Sequence, residues 1–130
     1  MAIFKDSNQL NQIMTELWEL LLASPSGPKL LESGLVVKFT LSDPEAIFWA
    51  TVDGLLYGPQ DLKPDVELIL SGDTAHKFFL KQVSLPVALA KRQIKSKGAL
   101  DKVMKLLPLL GPNYENYPKL CQKYGLPTTR

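Results

Sequence analysis

The chain of 130 residues is poor in the side chains that most chemistry needs: it holds one cysteine and one histidine. The single cysteine, Cys121, excludes an intramolecular disulfide and is compatible with a reducing compartment. The single histidine, His76, excludes multi-histidine zinc sites, and no cysteine pair replaces them. No Gly-x-Gly-x-x-Gly or phosphate-cradling loop occurs, and neither Ser71-Gly72-Asp73 nor Ser26-Gly27 forms a nucleophile elbow. No apolar run approaches the roughly 20 residues of a membrane span. The opening Met-Ala-Ile-Phe-Lys-Asp-Ser does not read as a signal peptide, so a cytoplasmic protein is expected. A net charge of +2 is too small to argue for nucleic acid, and the aromatics fall on faces predicted to be buried. Asp43, Glu45, Asp53, Asp61, Asp65, Glu67 and Asp73 lie mostly in predicted turns, where Asp satisfies backbone amides. His76 is expected to be a partly exposed helix residue. The sequence therefore predicts no enzyme, no metal and no cofactor.

Hydrophobic side chains, at 45% of the sequence, are what the chain does have. Leu10, Ile13, Met14, Leu17, Trp18 and Leu21 recur at spacings of three and four, predicting an amphipathic helix over 7–23 capped by Asp6 or Ser7. Ser24-Pro25-Ser26-Gly27-Pro28 ends it, and Lys29 to Ser33 fits one short turn. The period then becomes two. Leu35, Val37, Phe39 and Leu41 alternate with Val36, Lys38 and Thr40 as in a half-buried strand. A turn at 42–45, a strand Ala46 to Val52, a hairpin signal at Asp53-Gly54 and a strand Leu55 to Tyr57 complete an antiparallel meander. Val66 to Leu70 is a fourth strand, broken at Ser71-Gly72-Asp73. Asp73 or Thr74 is expected to cap a helix bearing Phe78, Phe79 and Leu80.

Val83 to Ala90 is an apolar connector with no polar face, expected to be buried or to face a cavity. Arg92 to Lys97 suits an edge strand, whose lysines discourage pairing with another chain, with Gly98 allowing a sharp exit. Ala99 to Leu110 predicts one helix with Leu100, Val103, Met104, Leu107 and Leu110 on one face, closed by Gly111-Pro112. In the tail, Tyr117, Leu120, Cys121 and Tyr124 have helical spacing up to Gly125 and Pro127, suiting either packing on the core or a lid. The cations Lys91, Arg92, Lys95, Lys97, Lys102 and Lys105 cluster on the edge strand and the helix after it. They form either a solvated face or a patch for an anionic surface. The apolar excess likewise has two readings, a plain core or an apolar cavity with Met14 and Met104 as adaptable wall. Periodicity does not separate them.

The run Gly34-Leu-Val-Val-Lys-Phe-Thr-Leu41, the run Glu45-Ala-Ile-Phe-Trp-Ala-Thr-Val-Asp-Gly54 and Asp65-Val-Glu-Leu-Ile-Leu-Ser71 before a helix come in a suggestive order. Val87-Ala-Leu-Ala-Lys-Arg-Gln-Ile-Lys-Ser-Lys-Gly98 then leads into an apolar helix ending Met104-Lys-Leu-Leu. In this order they resemble the sterol carrier protein type 2 family, in a stand-alone bacterial-type form, over about residues 8–110. Ala90-Lys91 departs from the family's Gly-Lys at the entry to the basic strand. The resemblance implies an α+β fold, a five-stranded, mainly antiparallel sheet covered by helices, with an apolar tunnel between sheet and helices. It implies one lipid-binding domain over 1–130, with 111–130 as a C-terminal extension. The implied function is non-catalytic binding, transfer or presentation of a fatty acyl chain, a sterol-like lipid or an isoprenoid. The alternative is an accessory protein docking on a lipid-metabolising enzyme through its basic edge strand. By matching position the lining would be Phe39, Phe48, Ala50, Leu68, Leu70, Phe78, Phe79, Leu85, Val87, Leu89, Leu100, Val103, Met104 and Leu107. Implied partners are a lipid, an enzyme or a second copy of the chain, with transient membrane-surface contact and no nucleic acid.

Overall fold

The computed structural model describes residues 4–51, 54–126 and 128, without the side chains of Leu106, Leu107 and Leu110. Val52 and Asp53 of the expected hairpin turn lie outside the described residues, as does Pro127. Helix α1 spans Ser7–Ala23, and Asp6 caps it by accepting the Gln9 N–H at 2.8 Å. Its stripe is buried at Leu10, Ile13, Met14, Leu17 and Leu21, as period 3.6 demands of a helix packed on one side. Helix α2, Gly27–Ser33, is longer than the turn expected over 29–33. Pro28 sits in its first turn, where the missing N–H has no helical partner to lose.

Five strands follow the period-two pattern: β1 Val37–Ser42, β2 Ala46–Thr51, β3 Gly54–Tyr57, β4 Val66–Ser71 and β5 Ile94–Gly98. They form one sheet in the order β3-β2-β1-β4-β5, antiparallel except for the parallel pair β1 and β4. Because side chains alternate along a strand, the register fixes two faces. Val37, Phe39 and Leu41 lie beside Ala50, Phe48 and Ala46 on one flank and beside Val66, Leu68 and Leu70 on the other. Lys38, Thr40, Trp49 and Glu67 share the opposite face. There the Thr40 hydroxyl donates to Glu67 at 2.6 Å and the Lys38 ammonium stands 5.2 Å from the Trp49 ring. Asp65 ties three strand ends together. Its carboxylate accepts the Val36 N–H at 2.8 Å, and its carbonyl accepts the Ala99 N–H at 2.9 Å. Gly98 passes so close that a Cβ there would lie 2.3 Å from that carbonyl oxygen, at φ +98°; only glycine fits such a conformation cheaply.

The remaining helices are α3 Gly72–Phe79, α4 Leu85–Ala90, α5 Leu100–Leu106 and α6 Gly111–Tyr124, with a 3-10 turn at Leu107–Leu110. Three expectations need correction. Ser71, not Asp73 or Thr74, caps α3: its hydroxyl accepts the Thr74 N–H at 3.1 Å, so the chain turns from strand to helix with no residue between. The single helix expected over 99–110 is divided, because Pro108 supplies no N–H and clashes with the carbonyl four residues back. Gly111-Pro112 opens a helix instead of closing one, proline being accepted in a first turn. The edge-strand expectation holds: β5 is outermost, with Ile94 buried and Lys95 and Lys97 exposed. Helix α6 packs against α1 and α3 and buries Tyr117, Leu120 and Cys121. No helix among the described residues is long and apolar enough to cross a membrane.

Candidate functional site

Between the inner face of the sheet and the helices lies an apolar cavity of about 140 Å³. The strands contribute Val37, Phe39, Leu41, Phe48, Ala50, Leu55, Leu68, Leu70 and Ile94 to its wall. Phe39 and Phe48 are direct cross-strand neighbours and their rings stack, 4.8 Å between centroids. Helix α1 contributes Met14, Leu17, Trp18 and Leu21, and α2 contributes Leu30, Leu31 and Ser33. Leu35, Thr51, Ala75, Phe78, Phe79, Leu85, Val103 and Asn113 complete the wall. Among the described residues none of these side chains is charged. The Asn113 Oδ1 and the Trp18 Nε1 are buried without a hydrogen-bond partner among the described residues.

Of the side chains singled out from the sequence, Phe39, Phe48, Ala50, Leu68, Leu70, Phe78, Phe79, Leu85 and Val103 converge on this cavity. Val87, Leu89, Leu100 and Met104 do not border it, and the side chain of Leu107 lies outside the described set. Val87 is 44% exposed, which corrects the expectation that the whole connector is enclosed. The reason is geometric: Leu85, Val87 and Leu89 share a side only in a strand, whereas α4 is a helix that turns Leu85 and Ala88 inward. Leu100 and Met104 pack on the core while half-buried; among the described side chains of α5 only Val103 borders the cavity. The walls from α1 and α2 were missing from the predicted lining apart from Met14. The amphipathic stripe of α1 signals burial, but not which part of it faces a void.

A second buried region lies beside the cavity. His76 is 4% exposed, against the expectation of a partly exposed residue. Its Nδ1 is 2.7 Å from the Tyr117 hydroxyl, and its ring meets those of Phe4 and Tyr117 edge-on at 6.0 and 5.5 Å. Burial pushes the Tyr117 phenol well above its ordinary range, with Cys121 adding to the shift. Burial also raises the Cys121 thiol, partly offset by a hydrogen bond to Tyr117. A thiol held protonated is a poor nucleophile. Among the described residues no three His, Cys, Asp or Glu side chains are grouped to hold a metal ion. At the surface, Lys91, Arg92, Lys95, Lys97, Lys102 and Lys105 are all exposed.

No family model and no curated protein matches the sequence. Solved structures do. Sterol carrier protein 2 from Yarrowia lipolytica, in its apo form, superposes with a TM-score of 0.64 at 13% identity, over 85% of this chain and 93% of that one. The UbiJ-SCP2 ubiquinone synthesis protein gives 0.61 at 14% identity, over 77% and 87% of the two chains. Palmitated SCP2L2 from Aedes aegypti gives 0.58 at 18% identity, over 76% and 91%. With the sheet order and helical cover described above, these matches establish that the chain has the sterol carrier protein 2 fold.

Proposed function

We propose that this protein binds a lipid by burying its hydrocarbon part in the cavity, without catalysing a reaction on it. The observation that carries this reading is a wall made mostly of aliphatic and aromatic side chains, uncharged throughout its described length, between sheet and helices. Transfer of an alkyl chain into such a place contributes about 0.8 kcal/mol per CH₂ before ordering costs. Phe39, Phe48, Ala50, Leu68, Leu70, Phe78, Phe79, Leu85 and Val103 are the residues assigned to chain contact, joined by Met14, Leu17 and Leu21. The free volume of about 140 Å³ is below the ~300 Å³ at which ordinary ligand pockets begin. A long chain therefore needs the helical cover to move outward. Met14, unbranched and adaptable, and the short helices α4 and α5 are the parts suited to give. The palmitated state of the Aedes aegypti neighbour supports an acyl chain as one ligand for this fold.

Native mass spectrometry of the purified protein, with extraction and analysis of bound lipid, tests the reading. A copurifying lipid, or affinity for a labelled acyl chain, is expected. Protein that carries no lipid and has no affinity for acyl chains defeats it.

A second reading places the same cavity in an accessory role, presenting its lipid to an enzyme docked on the edge strand. Exposed Lys95 and Lys97 on outermost β5 and the ubiquinone synthesis neighbour favour it. Copurification with an enzyme, lost in the Lys95→Glu/Lys97→Glu variant while lipid binding persists, is the expected signature.

A further inference from the structure

The cavity wall is mostly apolar, yet it carries a buried polar atom that no described residue answers. Asn113, in the first turn of α6, is 5% exposed and borders the cavity. Its Oδ1 has no hydrogen-bond partner among the described residues. Such orphans are rare in folded proteins, since an unpaired buried acceptor forfeits its hydration. The Trp18 Nε1, on the same wall, is a donor without a partner among the described residues. Ser33 and Thr51 also line the wall, but their hydroxyls already donate to the Leu30 and Gly54 carbonyls, so among its described residues the wall offers one unpaired acceptor, one unpaired donor and no cation.

That inventory discriminates between the polar ends a lipid can bring. A carboxylate would surrender its water shell with no counter-charge, and it has no proton to give the Asn113 oxygen. A hydrocarbon end leaves both orphan atoms unpaired. A hydroxyl donates one hydrogen bond and accepts others, so it answers the Asn113 carboxamide whichever way that amide is turned. We propose that the cavity selects a long-chain molecule bearing an uncharged hydroxyl over one bearing a carboxylate, and that Asn113 reads this hydroxyl. The proposal rests on the lipid-cavity reading above and deepens it by naming the polar group.

The test compares hexadecanol, its methyl ether and hexadecanoate at about pH 8.5, where a carboxyl with a reference pKa near 4 is ionised. Each is measured by displacement of the uncharged probe diphenylhexatriene. The wild-type protein is expected to bind the alcohol about three- to tenfold tighter than the ether, the range of one net hydrogen bond, and tighter than the acid. Asn113→Leu is expected to lose the preference, the alcohol-to-ether affinity ratio falling to about one. Equal affinities for alcohol and ether in the wild-type protein overturn the proposal, as does tighter binding of the acid, and neither outcome needs a variant that folds. A preference surviving in both Asn113→Leu and Asn113→Ala also overturns it, by removing Asn113 from the role. If none of the three ligands binds and the probe is not taken up, the lipid-cavity reading fails as well, which separates the two failures.

Discussion

Two neighbouring regions of the interior treat their polar atoms in opposite ways. Around Tyr117 the polar atoms are met. The phenol is fully buried and meets His76 Nδ1, and the rings of His76 and Phe79 pack against it. Around Asn113, one helical turn away on the same α6, a void remains and a carboxamide oxygen has no partner among the described residues. Phe79 divides them, touching Tyr117 with one side and bordering the cavity with the other. The same helix therefore serves two ends. Its Tyr117–Cys121 portion anchors the fold, and its first turn finishes a space that the fold does not fill. Stability resides in the closed region, where dense packing makes each deletion costly. Adaptability resides in the other, where contacts are already missing.

The largest effect that sharpens this contrast is Tyr117→Ala. Removing a fully buried aromatic and its hydrogen bond is expected to cost about 3–5 kcal/mol, read as a lowered midpoint in urea unfolding. Filling the void is expected to do the reverse in kind. Ala50→Leu places extra methyl groups where space exists, so stability should change by no more than about 1 kcal/mol. Acyl-chain affinity should fall about tenfold or more, checked by probe displacement. Equal damage to stability by both variants would erase the distinction between the regions.

Alkaline pH provides a third probe, confined to the closed region. The native Cys121 thiol and Tyr117 phenol are raised above their ordinary values of 9.0 and 10.0. Above those values the unfolded chain has released protons that the native state still holds. Stability is therefore complete below about pH 9 and falls as pH rises, by up to about 1.4 kcal/mol per pH unit for each group while it remains protonated in the fold. Cys121→Ala should abolish the earlier onset, and Tyr117→Phe the later one, in unfolding curves taken at a series of pH values. The smallest effect belongs at the surface end of α6. There Glu16 accepts from Tyr124 and pairs with Lys123, which holds its carboxyl below the usual range. Glu16→Gln should lower the midpoint slightly in dilute buffer, and salt should suppress the difference by screening an exposed pair.

Much of the fold was legible in residue order. The stripe from Leu10 to Leu21 and the alternation from Leu35 to Leu41 are local patterns, and each emerged as the expected helix or strand. Errors arose where a proline or a cap has two meanings. Pro108 broke a helix that the apolar spacing had extended through it, and Pro112 began one where it was read as an end. Ser71 closed a strand and capped a helix at once. At the site, strand residues such as Phe39 and Leu68 were readable because alternation puts them on one face. Val87 was assigned by position in a segment that is apolar all round, where periodicity names no inner side, and α4 turns Leu85 and Ala88 inward instead. Asn113 carried no signal at all, being one polar residue in an uncharacteristic tail.

By itself the sequence determined the elements, the strand faces available for burial, the basic edge and the scarcity of catalytic groups. Those are properties of nearest neighbours and of composition, set by backbone preferences and by the periods of helix and strand. Only the tertiary structure decided that α6 inserts Tyr117 beside His76, that β1 and β4 run parallel, and that a void bordered by Asn113 survives. A cavity is the difference between the space that packed elements enclose and the volume of the side chains pointing into it. That difference depends on how distant segments meet, and no local pattern encodes it.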